Sequence, residues 1–404
     1  MKTCNYLLFC FAIFLFFSCE KQEKNEVYVE TSESRCEIRE NDNSIFRITE
    51  NKALEYANIV FNRNKVRSIS EITVDYVVEQ SNARSLSADT LAYIFNRGDN
   101  EGFVIISSDN RVNPLLAFSD NGHFDNDENS VVHQEFISKL GDYIDANLEN
   151  DSVSFSEDFL DECYVIQSNI SGVWDQWYPW NRIVNIYHPG CPAGCVAVAT
   201  AMVMTHCKES LLYHGINFPL ARIAAGIDQN ANARIVGGSG GSSNSVVPLS
   251  YDSAVFYAAH LLYNIGLDVE MTYSTDGSGA SSSKALRLLQ NEGFTLRHSV
   301  LADYDFIDII DYIRDGDMIY MRGSAIDTIE INPIKLDTVG HAWVVDAAMY
   351  CVDYETNETT DGYLYCRWGW GGASDGFYKG DIFPFPTVNG YYTPTKYFAI
   401  DRFY

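Results

Sequence analysis

Gly190-Cys191-Pro192-Ala193-Gly194-Cys195-Val196-Ala197-Val198-Ala199-Thr200-Ala201-Met202-Val203-Met204 sets a cysteine between a Gly/Pro-rich turn and an apolar helix. Gly194 lets the backbone turn sharply. The helix start surrounds the Cys195 sulfur with unpaired N–H groups and the positive end of the helix dipole, which favours thiolate. The pattern also fits a small buried residue where a loop runs into a core helix, because free cysteine is among the most buried residue types. The choice between nucleophile and core residue rests on the rest of the chain.

The chain has 404 residues, 46% of them hydrophobic, enough for two or three domains. With a formal net charge of -27, its surface would repel phosphate backbones, which argues against nucleic-acid binding. Residues 1–19 read as a targeting signal. Lys2 supplies a positive start, residues 7–17 are apolar, and Ser18-Cys19 precedes the charged run Glu20-Lys21-Gln22-Glu23-Lys24. A small residue followed by cysteine resembles a bacterial lipoprotein signal. That implies lipidation at Cys19, with membrane association only through this anchor. Phe16 and Phe17 are bulky for such a signal, so plain secretion is the alternative. Either way the protein is expected to be exported, to the cell surface or outer membrane as a lipoprotein or into the medium.

Export exposes the remaining cysteines to oxidation. Cys36 and Cys163 lie in the N-terminal half. Cys191, Cys195, Cys207, Cys351 and Cys366 follow residue 171, an odd set that leaves a thiol unpaired unless one bonds outside this region.

Residues 20–45 are polar and read as a tether. Residues 46–150 carry a compact α+β pattern. Leu54, Ala57 and Phe61 fall at helical spacing, 93–95 and 102–106 read as strands around Gly98-Asp99-Asn100, and Phe136, Leu140 and Tyr143 mark a second helix. Residues 151–171, dense in Asp, Glu and Ser, read as an exposed connector. From 172 to about 292 the pattern is mainly helical, with helices after Cys195, over 253–265 and over 282–291. The Gly/Ser run 237–243 lacks the Lys-Ser/Thr ending of a phosphate-binding loop and reads as a linker. From Phe294 onward, short aromatic and β-branched runs predict an antiparallel sheet. Helices first and strands second predict an α+β fold.

A cysteine nucleophile needs a base, and histidine titrates in the right range. His206 cannot serve, because eleven helical residues rise about 16 Å. His341 opens an apolar strand in Val339-Gly340-His341-Ala342-Trp343-Val344-Val345-Asp346. It follows Cys195 by 146 residues, within the roughly 130–150 expected when cysteine and histidine sit on different lobes of a peptidase. Beyond it, Trp368 and Trp370 alternate with glycine, and near an imidazole they would shield it from water.

The segments around Cys195 and His341, with Trp368-Gly369-Trp370-Gly371-Gly372-Ala373-Ser374-Asp375-Gly376-Phe377 and Gly277-Ser278-Gly279-Ala280-Ser281-Ser282-Ser283, resemble the streptopain family of papain-fold cysteine peptidases. Gly102-Phe103-Val104-Ile105-Ile106-Ser107-Ser108-Asp109 resembles that family's inhibitory propeptide. The resemblance implies a two-lobe peptidase over 172–404, helical lobe then β lobe, held inactive by 46–150 and released by a cut in 151–171. It implies protein or peptide substrates, its own propeptide as inhibitor, and no cofactor. Cys195 falls at the nucleophile position, His341 at the general base, Gln176 at the oxyanion hole, and Trp368 and Trp370 at the active-site tryptophans.

One departure stands out. Arg367 occupies a position where the family usually has asparagine. A guanidinium cannot accept a hydrogen bond, and beside an imidazolium it would destabilise the catalytic ion pair. The alternative expectation is therefore an impaired member that binds peptides or proteins in its cleft. A metal site from Cys191, Cys195, His206 and Cys207 is disfavoured, because their spacing matches no common zinc pattern.

Overall fold

The computed structural model describes residues 45–63, 72–80, 89–125, 130–152, 163–168, 170–229, 248–331, 334–352, 359–385 and 392–401. The targeting segment with Cys19, the tether up to residue 44, Cys36 and the Gly/Ser run lie outside the described residues. Helix α1 (Glu50–Asn62) is capped by Thr49, whose hydroxyl accepts the Lys52 N–H at 3.4 Å, and it buries Ala53, Ala57, Val60 and Phe61. Strands β1 (Ile72–Gln80), β2 (Asp89–Arg97), β3 (Phe103–Ser107) and β4 (Leu115–Ser119) follow as an antiparallel meander. The expected strands at 93–95 and 102–106 fall on β2 and β3.

The single amphipathic helix expected around Phe136 is broken into α2 (Val131–Glu135), a 3-10 turn (Ile137–Lys139) and α3 (Leu140–Asp145). Phe136 leaves the helical region at φ -130° and ψ -61°. Its ring, fully buried, fits between Tyr378 and Phe383, with centroids 4.9 and 6.0 Å away.

Part of the expected connector is also different. Cys163–Ile166 forms β5, tied by a Cys163–Cys351 disulfide to a strand much later in the chain. Because Cys351 bonds outside the C-terminal region, the odd-number argument does not single out one thiol. Cys191, Cys195, Cys207 and Cys366 are all buried.

Helix α4 (Cys195–Cys207) is apolar on every side and is buried nearly throughout, as such a helix must be. The hairpin β6 (Leu211–Tyr213) and β7 (Ile216–Phe218) follows, and then α5 (Leu220–Asp228), α6 (Tyr251–Asp268) and α7 (Ser282–Asn291) pack around α4. The sheet region holds β8 (Ala302–Asp303), helix α8 (Phe306–Arg314), β9 (Met318–Ile331), β10 (Ile334–Val352), β11 (Thr359–Arg367), β12 (Gly376–Lys379) and β13 (Tyr392–Ile400). Helix α8 interrupts what the sequence suggested as strands alone; Asp305 caps it by accepting two backbone N–H groups.

The sheet has eleven strands, ordered β1-β2-β3-β4-β12-β11-β10-β9-β13-β8, with β5 also paired to β10. The N-terminal meander therefore continues the C-terminal sheet: β4 covers the edge of β12, with Phe118 opposite Phe377 and Ala117 opposite Tyr378. Both faces are shared. Val132, Phe136 and Leu140 pack with Trp343, Trp368 and Tyr378 on one side. On the other, α1 packs with Ala347, Met349, Tyr363 and Phe377. Among the described residues no helix is long and apolar enough to cross a membrane.

Candidate active site

Gly194, at φ 91°, caps α4. A Cβ there would meet the Met271 side chain and the Ser278 carbonyl, so both conformation and space demand glycine. The preceding loop is pinned: Ala193 N–H donates to the Gln176 carbonyl at 2.8 Å, and the Asn181 amide donates to the Cys191 carbonyl at 2.9 Å. Gln176 itself is buried beside this loop.

Cys195 is the first helical residue. Its sulfur lies against the backbone N–H groups of Val196 and Ala342, which places it beside the residue that follows His341 on β10. These N–H groups and its own favour thiolate, but burial outweighs them and pushes the thiol pKa up. The nearby Glu135 carboxylate pushes the same way.

His341 lies on β10 opposite Gly323 of β9. Its Nε2 is 2.7 Å from the Trp368 carbonyl oxygen. A carbonyl only accepts, so Nε2 carries the proton and Nδ1 is the basic nitrogen. The rings of Trp343, Trp368 and Trp370 box the imidazole at 6.2, 6.3 and 6.2 Å. Trp343 and Trp368 are buried, whereas Trp370 is 38% exposed. Burial pulls the imidazole pKa down to about 4, and the Trp368 carbonyl opposes only part of that. Raised thiol and lowered imidazole together describe a neutral pair rather than a thiolate–imidazolium pair.

Arg367 is engaged elsewhere. Its Nε donates to Asp346 Oδ1 at 3.0 Å, and its Nη2 donates to Ser168 Oγ at 2.8 Å and to the Ile170 carbonyl. Ser168 Oγ and Ile170 N–H both donate to Asp346 Oδ2. The charge of Arg367 is thus consumed by a buried cluster, and the acceptor for His341 is the next residue's carbonyl. Asp375 holds the same residue on its N-terminal side: its Oδ1 accepts the Trp368 N–H at 2.9 Å.

From the N-terminal region, α2 delivers Glu135 onto β9. A Cβ on Gly323 would run into the Glu135 carboxylate, which therefore occupies the space a side chain would take directly across from His341. Lys139 Nζ lies 3.7 Å from Glu135 Oε2 and also donates to the Phe383 carbonyl at 3.0 Å. Burial raises the Glu135 pKa even against this lysine.

The structure brings Cys195, His341, Trp368 and Trp370 to one place, with Gln176 on the loop pinned to that of Cys195. Sequence reasoning passed over Trp343, which alternation along a strand places on the same face as His341. It had no signal for the Trp368 carbonyl, a backbone group, or for Glu135. Among the described residues no cluster of three or more His, Cys, Asp or Glu could hold a metal ion.

A buried cysteine at a helix start, a histidine on the facing strand, and an N-terminal domain seated across both define a cysteine peptidase carrying its own inhibitor. Residues 174–378 match the Peptidase C10 family and 46–144 match the Spi protease inhibitor family. The chain belongs to the Peptidase C10 family. It is similar to streptopain of Streptococcus pyogenes, 24% identical over 395 residues that cover 88% of this chain and 87% of streptopain. It is also 24% identical over 367 residues to the thiol protease/hemagglutinin PrtT of Porphyromonas gingivalis, covering 81% of this chain but only 38% of PrtT. A solved fragment of Prevotella intermedia prointerpain A matches at 18% identity and TM-score 0.46, covering 80% of this chain and 97% of that one.

Proposed function

We propose that the protein is an exported cysteine endopeptidase made as a zymogen, with Cys195 as nucleophile and His341 as its base. The observation that carries this reading is the Cys195 sulfur at the start of α4, lying against the backbone of Ala342 beside a histidine whose Nδ1 is left basic.

In the active form, His341 Nδ1 takes the thiol proton and the sulfur attacks the scissile carbonyl carbon. The C–S bond forms as the carbonyl electrons move to oxygen, and that oxyanion is held by the Cys195 N–H and the Gln176 amide. The imidazolium returns its proton to the leaving nitrogen as the C–N bond breaks. Water then cleaves the thioester and restores the thiol. Trp368 and Trp370 keep bulk water from the imidazole, and Trp343 does the same from the buried side.

The inhibitor lies within residues 46–150, the catalytic part of the peptidase runs from 172 onward, and the activating cut falls between the inhibitor's last helix and that part. Residues 1–19 direct export and Cys19 carries the lipid where the signal is of lipoprotein type. Substrates are proteins or peptides. Arg367 is paired with Asp346 rather than aimed at His341, which favours a working enzyme over a binding module. The test is hydrolysis of unfolded casein by the processed chain beside a Cys195→Ala chain cut by an added protease. Loss of activity in the variant is expected; equal hydrolysis by both sinks the assignment.

A further inference from the structure

The inhibitor match ends at residue 144 and the peptidase match begins at 174, so the chain between them belongs to neither by sequence. Its second half is built into the peptidase. Strand β5 pairs antiparallel with β10, the strand of His341, with Cys163 opposite Cys351 and Ile166 opposite Ala348. The Cys163–Cys351 disulfide joins the two strands across 188 residues, and Tyr164 stacks on Tyr350 at 5.5 Å. Just beyond, Ser168 and Ile170 supply the partners of the buried Arg367–Asp346 pair. Ser171 and Gly172 donate their N–H groups to Asp228 at 3.2 and 2.7 Å.

We infer that the cut that frees the inhibitor lies after Ile144 and before Cys163, so that the mature peptidase keeps β5 as a disulfide-anchored N-terminal strand. This rests on the zymogen reading above. The disulfide sets the C-terminal bound at Cys163, and a second observation independently keeps the cut upstream of Ser168. A break after Cys163 would leave the inhibitor covalently held to β10 through Cys351, so proteolysis alone would not release it. Loss of Ser168 and Ile170 would also strip a buried guanidinium and a buried carboxylate of hydrogen bonds, which a native core seldom leaves unmade. The N-terminal bound comes from α3, whose Tyr143 and Ile144 are buried in the shared core, whereas the chain from Leu148 to Ser152 is exposed.

The experiment is N-terminal sequencing and intact-mass measurement of the full chain before and after processing, with denaturing gels run with and without reductant. The expected mature chain begins between residues 145 and 163, contains the disulfide, and separates from the inhibitor without reductant. A mature N-terminus after Cys163, or an inhibitor fragment that separates only on reduction, overturns the inference. A chain that does not process itself is treated with trace thermolysin. The resistant peptidase core is then expected to begin before Cys163, and a core beginning after it overturns the inference equally. A Cys163→Ser/Cys351→Ser chain is expected to be cut at the same bonds but to lose β5 to thermolysin at least tenfold faster; equal survival of β5 removes the anchoring role. Self-processing by a Cys195→Ala chain would instead defeat the nucleophile assignment and leave the position of the cut readable.

Discussion

Replacing Arg367 by Met in the processed peptidase separates the two things this residue could do. Its guanidinium and the Asp346 carboxylate are both buried and lie 3.0 Å apart. Without the arginine, the buried Asp346 carboxylate loses its counter-ion, and breaking a buried pair by removing one partner costs about 3–5 kcal/mol. For a unit of roughly 150–250 residues, each kcal/mol moves Tm by about 2–4 °C, so the expected fall is about 6–20 °C. The Arg367→Met/Asp346→Leu double variant removes both charges and is expected to recover most of that loss. Activity follows a different rule. Since the acceptor for His341 is the Trp368 carbonyl, kcat/KM of the double variant, assayed well below its Tm, is expected within a few-fold of the parent. Melting followed by circular dichroism and hydrolysis of a fluorogenic peptide read the two effects. A double variant at least tenfold more active than the parent would refute the reasoning, since the arginine would then have been depressing the imidazole all along. An unchanged Tm in Arg367→Met would refute the buried pair.

Phe136→Ala in the uncut chain empties the space between Tyr378 and Phe383 and costs about 3–5 kcal/mol of inhibitor docking. Alkylation of Cys195 by iodoacetamide, which reports the open fraction, is expected to quicken by about two to three and a half decades; an unchanged rate contradicts the shared core. The depressed His341 pKa predicts a pH dependence. The unfolded chain takes up a proton on this histidine from pH 6.5 downward, whereas the zymogen resists it until about 4. Its contribution is thus intact above pH 6.5 and lost as pH falls to about 4, up to about 3 kcal/mol. Melting curves of the uncut His341→Gln chain should lack that component; identical pH profiles would contradict it. Glu135 and Asp375, whose pKa values are raised, act with the opposite sign in both chains and cancel in the comparison. Gln176→Ala is expected to lower kcat by about 10²–10³ with little change in KM; an unchanged kcat removes Gln176 from the oxyanion hole.

The sequence disclosed what depends on short-range pattern. A glycine before an apolar run marked the start of α4, and helical spacing located α7 at Ser282–Asn291. It concealed what depends on distant partners. Strand β5 has four residues in an acidic stretch, and only its pairing with β10 and the bond to Cys351 make it a strand. The joining of β4 to β12 leaves no local mark either. Charged residues are almost never fully buried unless paired, so nothing local marks Glu135 and Lys139 for burial, yet both are buried. The doubt over Arg367 had the same origin: the asparagine position was legible, but Asp346 and Ser168 were not legible as its partners.

The inhibited state follows from one physical cause acting on several groups. The inhibitor packs Phe136 and Leu140 against the layer that holds Trp343 and Trp368, and Cys195 and His341 are buried in the uncut chain. Burial opposes any charged form, so the thiol rises, the imidazole falls, and the pair rests neutral. Glu135 adds a carboxylate that disfavours thiolate further. On the zymogen reading, departure of residues 46–150 reverses all three at once. Water returns, the carboxylate leaves, and the N–H groups at the start of α4 are no longer outweighed. The helix start that suggested a thiolate from sequence is then an attribute of the processed enzyme, and the same sulfur in the uncut chain is silent because its surroundings, not its position, have changed.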